Sequence, residues 1–344
     1  VPEAEVDWSF CYRVLPQVSR SFALSIQALP PNLGRPVCLA YLLCRIVDTI
    51  EDEAELAWRS REALFDEFDA LLADDARDAT YFESLVRQAT LRGDGADGAL
   101  VHATSRPLRR FRELPSEQRS AMRGPILEMS RGMREFSART EREGRLRIKD
   151  LAELDHYCYF VAGTVGELLT ALFELDQPAL SDEVRRGVRA RAISFGLGLQ
   201  LVNIVKDIAD DLERGICYLP ASLLERAGLR EADLLSPDRR ADARGVVAAV
   251  CERAREHLGR AREYAVLWPA ESGRAVRTFC AVPLGLALAT LHEVEHGSDT
   301  LVKGRVPKVS REAVARIFAD TTRYLDEDQA LDGIFSACSR GEYR

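Results

Sequence analysis

Two segments, "DLAELDHYCYFVAGTVGELLTALFEL" (150–175) and "DEVRRGVRARAISFGLGLQLVNIVKDIADDLERG" (182–215), repeat apolar residues at three- and four-residue spacing and are apolar on nearly every side in their middles. A helix without a polar face cannot rest on a surface, so this pair is expected at the centre of a helical bundle. Helical periodicity recurs at 36–53, 60–74, 119–140, 242–267, 274–297 and 310–331, while alternating strand-type runs are scarce. Pro36 suits a first helical turn and Ser60 reads as an N-cap. Loops are expected at 92–98, 141–145 and 226–242. Neither a Pro/Ser-rich linker nor a repeat of about 20–50 residues divides the chain, so residues 1–344 are expected to form one all-α domain. Small residues crowd the two central helices: Ala162, Gly163, Gly166, Gly196 and Gly198. A glycine inside a helix costs about 1 kcal/mol relative to alanine, so the cluster needs a reason. Close helix packing is one reason, and room for a bulky ligand is the other.

Charge narrows the partners. A net charge of −8 and a pI near 5.4 argue against nucleic acid as the main ligand, yet leave room for a local basic site that takes a small phosphorylated substrate. Eight cysteines are scattered without a CxxC pair, several inside apolar patterns where cysteine acts as a small hydrophobe; this reads as a reducing, cytoplasmic interior. The stretch "VPEAEVDWSF" shows no secretory pattern. The longest apolar run, 279–291, contains Pro283 and is too short to span a bilayer. A soluble protein is expected, which an apolar substrate could still bring to a membrane surface.

The chemistry lies in two acid stripes. Positions three, four or seven apart share a helix face. Tyr41, Arg45, Asp48 and Asp52 follow spacings of 4, 3 and 4, and Leu42, Leu43, Ile46, Val47 and Ile50 fill the other directions. Gln200, Asn203, Asp207 and Asp211, spaced 3, 4 and 4, repeat the pattern among Leu201, Val202, Ile204, Val205 and Ile208. A single DxxxD usually marks a solvated face. A narrow polar stripe on an otherwise apolar helix suits a polar cavity instead, and here there are two. Four carboxylates at close quarters would repel unless cations were present. Oxygen-only donors of this kind suit Mg²⁺, which shares carboxylates with substrate phosphates. His292 and His296 lie at helical spacing beside Glu293 and Glu295, but the pattern is not HExxH, and they read as surface residues at a helix end.

With these residues in view, the sequence resembles the squalene/phytoene synthases, the head-to-head prenyltransferases. "YLLCRIVDTIEDE" and "NIVKDIADD" look like the family's two aspartate-rich motifs, "SRSFALSIQALP" (19–30) like its N-terminal substrate-binding segment, and "HYCYFVAGTVGELL" (156–169) like the stretch with its catalytic tyrosine. "RTFCAVPLGLALATL" (277–291) is closer to the squalene-forming members than to the phytoene-forming ones. The resemblance covers roughly residues 8–310 and implies an isoprenoid-synthase-type helical bundle with a central apolar cavity. It implies Mg²⁺ and diphosphate binding by Asp48, Asp52, Asp207 and Asp211, with Glu51 and Asn203 as further ligands. Arg20, Ser21, Tyr41, Arg45, Gln200 and Lys206 would contact diphosphate oxygens, Tyr157 would lie near the reacting carbons, and Phe22 and Phe279 would line the isoprenoid pocket. Lys206 stands where squalene-forming members usually carry arginine, keeping the charge and losing the bidentate fork.

The implied reaction joins two farnesyl diphosphates through presqualene diphosphate and reduces the product to squalene with NADPH. A member stopping at presqualene diphosphate, or making dehydrosqualene or phytoene, is the alternative; a non-catalytic helical binding protein is a remoter one. The segment "LVKGRVPKVSRE" (301–312) resembles the basic strip associated with NADPH, with Pro307 and Val309 in place of two basic residues and Lys303, Arg305 and Lys308 nearby. No counterpart of the C-terminal membrane helix of some members is expected.

Overall fold

The computed structural model describes residues 3–19, 22–53, 56–89, 95–297 and 300–343. Arg20 and Ser21 lie outside the described residues. Among the described residues there are helices and no β-strand, as the periodicity predicts. In chain order they are α1 (Glu3–Val18), α2 (Phe22–Gln27), α3 (Pro31–Asp52), α4 (Trp58–Ala73), α5 (Thr80–Gln88), α6 (Ala96–His102), α7 (Ser105–Arg112) and α8 (Ser116–Glu143). Then follow α9 (Leu151–Cys158), α10 (Thr164–Asp176), α11 (Asp182–Lys206), α12 (Ile208–Glu213), α13 (Ala221–Arg226), α14 (Arg240–Leu267), α15 (Arg274–His292), α16 (Arg311–Arg323) and α17 (Asp328–Ser339).

The helices gather into two compact units, residues 1–141 with 167–179, and residues 142–166 with 180–344. In the first, α3 packs against α1, α2, α4, α6 and α7. Its side chains Leu42, Leu43, Ile46, Val47 and Ile50 are wholly buried. Each such burial contributes about 2 kcal/mol, which holds the helix with its polar stripe in a fixed direction. In the second unit α11 is the spine, flanked by α9, α14 and α15, while α16 and α17 cover α15.

Several boundaries differ from the expected ones. α3 begins at Pro31, which takes the first helical position, so Pro36 lies one turn inside. Ser60 does not cap α4; the cap is Ala57, with no side-chain bond. The segment 150–175 is interrupted by a π-helical turn at Tyr159–Gly163, and 182–215 breaks at Asp207. The segment 310–331 divides into α16 and α17.

The small residues in the central helices serve packing. A Cβ on Gly196 would lie 2.1 Å from the Ala162 carbonyl oxygen, and one on Gly166 would lie 2.1 Å from that of Ala192. On Gly198 it would meet a Leu258 methyl at 2.9 Å, and on Gly163 the Tyr159 ring at 2.8 Å. Backbone cannot move aside as a side chain can, so Gly196→Ala is expected to lower the unfolding free energy by about 3 kcal/mol, read by chemical denaturation. Wild-type stability in that variant would contradict the close approach.

All eight cysteines are free and buried, in keeping with their reading as small hydrophobes. The expectation that no segment is long enough to span a bilayer needs correction. Leu151–Asp176, Asp182–Lys206 and Arg274–His296 are each long and apolar enough by length and composition, because helices extend past the unbroken apolar runs. Between 56% and 72% of each apolar window is buried inside the protein, so much of that surface is already covered by packing.

Candidate active site

In the first unit the polar stripe of α3 stands as its spacing predicts. Tyr41, Arg45 and Asp48 are half-buried, and Asp52 at the helix end is exposed. The Tyr41 hydroxyl donates to the Val18 carbonyl at 3.0 Å, and the Phe22 ring lies 6.5 Å from that of Tyr41. Arg45 Nε donates to Asp97 Oδ1 at 2.7 Å while its Nη1 holds the Asp48 carboxylate. Asp97, at the start of α6, is a partner that local sequence reading missed: it sits 52 residues away with no motif around it. Burial, followed by the neighbouring Asp52 charge, lifts the Asp48 pKa, and these outweigh the pull of Arg45.

The position of these acids is informative. Asp48, Glu51 and Asp52 fall in the last turns of α3, and that helix end carries no basic residue in its final turn. The C-terminal end of a helix is the negative end of its dipole and favours cations. Carboxylates gathered there repel both the dipole and each other, an arrangement that a divalent cation relieves. The donor set is all oxygen, as Mg²⁺ prefers. Among the described residues no group of three His, Cys, Asp or Glu side chains is placed to hold a metal by itself.

In the second unit Gln200 is half-buried and Asn203 exposed on α11, which stops at Lys206. Asp207 leaves helical geometry at φ −102° and ψ 13°, and α12 then carries Asp211. Lys206 Nζ folds back onto both carboxylate oxygens of Asp207, at 2.8 and 2.7 Å. Asp211 is 6% exposed and paired with Arg214; burial raises its pKa, and the Asp207 and Asp210 charges add to the rise. Each acid pair thus has a cation beside it, Arg45 in one unit and Lys206 in the other.

Tyr157 is 3% exposed at the end of α9, immediately before the π-helical turn. Its hydroxyl lies 3.3 Å from that of Tyr218, and the two rings are 5.1 Å apart. Tyr218 shares a small cavity with Asp211, Ile204, Ile208 and Cys217. Tyr157 is thus linked through Tyr218 to the small cavity that Asp211 also lines. Tyr218 went unread in the sequence, although "ICYLP" follows the second acid motif after only four residues.

Phe279 is buried on α15. His292 and His296 sit at the end of α15 and in the following π-helical turn, half-buried and exposed respectively, and His292 Nδ1 pairs with the Ser339 carbonyl at 3.1 Å. The strip after Thr300 carries Lys303, Arg305 and Lys308, all exposed; Lys303 reaches Glu213 at 3.3 Å.

The sequence model of the family described as squalene/phytoene synthase matches residues 15–313. Squalene synthase of Homo sapiens is 28% identical over 315 residues, covering 91% of this chain and 69% of that one. The squalene synthase of Schizosaccharomyces pombe is 27% identical over 289 residues, covering 84% and 60%. Among solved structures, a TcSQS chain in complex with a ligand superposes with a TM-score of 0.77 at 25% identity, covering 97% of this chain and 98% of that one. A dehydrosqualene synthase in complex with ligand shares the fold, with a TM-score of 0.64 at 20% identity over 94% of this chain and 98% of that one.

Proposed function

The chain belongs to the squalene/phytoene synthase family, a family of prenyltransferase-type enzymes, and we propose that it joins two farnesyl diphosphates head to head in a Mg²⁺-dependent reaction and reduces the product to squalene. The observation that supports this most is the pairing of carboxylates one helical turn apart, each pair beside a cation, on helices that are otherwise buried. Asp48 and Asp52, with Glu51, are the metal-binding acids of the first unit; Asp207 and Asp211, with Asn203, are those of the second. Mg²⁺, when bound, neutralises the charge that gathers on the departing diphosphate. In the first unit Arg45 stabilises diphosphate oxygens that Arg20, Ser21 and Tyr41 orient; in the second Lys206 does so with Gln200.

Losing diphosphate leaves an allylic cation, which must be kept from water. Phe22 and Phe279 contribute apolar wall. The double bond of the second prenyl chain attacks the cationic carbon, and the proton then lost passes through the Tyr157 hydroxyl, which gives up its own proton as it accepts, to released diphosphate. After the second diphosphate leaves and the cation rearranges, Lys303, Arg305 and Lys308 would hold NADPH by its phosphates, and its hydride would quench that cation to give squalene. Product release brings the protein into peripheral contact with a membrane, from a cytoplasmic location.

A second reading, in which synthesis ends without reduction, is favoured by Pro307 and Val309 standing at two basic positions of that strip. Incubation with farnesyl diphosphate and Mg²⁺, with and without NADPH, separates the two. Squalene formed only with NADPH is the expected result. A product that NADPH leaves unchanged would remove the reductive half, and no diphosphate release at all would remove the proposal.

A further inference from the structure

Residues 182–215 have the sequence of one helix, yet the chain breaks at Asp207, a residue proposed above to bind Mg²⁺. A partner for the peptide groups at this break comes from a distant part of the chain, 94 residues beyond Lys206. Thr300 is 4% exposed, and its hydroxyl reaches the Val205 carbonyl oxygen at 2.7 Å and the Lys206 carbonyl oxygen at 3.1 Å. A helix end must find partners for its last carbonyls. Here one buried hydroxyl shares its single proton between the two peptide carbonyls that immediately precede Asp207, Val205 the nearer. With those peptide groups held, the Cα–Cβ direction of Asp207 is set, and Lys206 closes on its carboxylate from the same anchored backbone.

We infer that Thr300 is a positioning residue for the second acid pair, holding open the break that aims Asp207. This rests on the reading of Asp207 and Asp211 as Mg²⁺–diphosphate ligands. Without the hydroxyl, the Val205 and Lys206 carbonyls are free to re-enter the helical ladder, and α11 and α12 run toward the single helix that the sequence pattern favours. Asp207 then turns with the backbone. Groups that orient a metal ligand without touching the metal typically carry about 10–100-fold of its affinity.

The test uses the full chain and inorganic pyrophosphate with Mg²⁺ as the probe, read by calorimetry. Diphosphate release from farnesyl diphosphate over a Mg²⁺ series and thermal unfolding are read alongside. Thr300→Val, which keeps the shape and removes the hydroxyl, is expected to weaken Mg²⁺–pyrophosphate binding about tenfold and to raise the half-saturating Mg²⁺ concentration in step. Turnover at saturating Mg²⁺ stays within about threefold of wild type, since Asp207 is misaimed rather than lost. Thr300→Ser restores wild-type binding. Thr300→Ala, which only removes atoms, takes the place of the valine variant if that one does not fold. A lowered melting temperature with unchanged Mg²⁺ dependence marks a merely structural role and overturns the inference, as does a serine variant as impaired as valine. Wild type that binds no Mg²⁺–pyrophosphate and releases no diphosphate overturns the functional reading, and this inference with it.

Discussion

Asp48→Asn is expected to slow diphosphate release from farnesyl diphosphate by about 10³-fold while making the metal-free protein more stable. Both effects come from the same carboxylate. Asp48 is pushed up to about 7 from its ordinary value near 3.8 by burial and by the Asp52 charge one turn on. A carboxylate whose pKa is raised by folding is disfavoured in its charged form. Its contribution to stability therefore falls as the pH rises from about 4 to about 7, and the penalty is fully present above that. Asparagine has the same shape and no charge, so it removes the slope. The variant should melt about 3 °C higher than wild type at pH 8 and level with it at pH 4. Added Mg²⁺ and pyrophosphate should raise the wild-type melting temperature and leave that of the variant nearly unmoved. Thermal unfolding at the two pH values, with and without the ligands, reads all of this. Full diphosphate release by Asp48→Asn would show that the stripe on α3 is not a metal site.

Tyr157→Phe is expected to lower product formation by about 10²–10³-fold and to leave Mg²⁺–pyrophosphate binding at its wild-type strength. The bland alternative is a core tyrosine whose hydroxyl merely finds a partner, and a 3%-exposed side chain suits that equally well. The two differ in what is lost. A core tyrosine gives up stability and keeps turnover; a proton relay gives up turnover and keeps most of its stability. The 3.3 Å separation from the Tyr218 hydroxyl is long for a hydrogen bond between oxygens, so the pair has to close by a few tenths of an ångström before a proton can pass along it. Tyr218→Phe, removing the second member, should slow the reaction about tenfold. Product analysis and calorimetry on the two variants separate the possibilities, and unchanged product formation by Tyr157→Phe would return it to the core.

What could be read from sequence, and what could not, follows from the range of the forces involved. The stripe on α3 was legible because helical geometry turns spacings of 4, 3 and 4 into one face, and the flanking Leu42, Leu43, Ile46, Val47 and Ile50 are buried as that face requires. The break at Asp207 was not legible. Aspartate in a helix gives no stop signal, and the hydroxyl of Thr300 arrives from a distant part of the chain. Asp97 was hidden for the same reason, since only folding brings α6 to Arg45. The glycines left two explanations open because pattern alone cannot measure a gap; the carbonyls of Ala162 and Ala192 decide for close packing. Ser60 misled because a serine near a helix start caps only if the chain turns there, and α4 had already begun at Trp58.

The π-helical turn at Tyr159–Gly163 makes the spacing between Tyr157 and Gly166 a matter of phase. Such a turn holds one residue more than an α-helical turn, and one residue is worth about 100° of rotation. Deleting any single residue from this turn would let the helix straighten, and every side chain downstream would face a new direction. Gly166, which now lies beneath the Ala192 carbonyl, would give its place to a residue with a Cβ. The length of this stretch therefore works as a one-residue vernier between the hydroxyl of Tyr157 and the tight seam with α11, and single insertions or deletions there should be rejected far more strictly than substitutions.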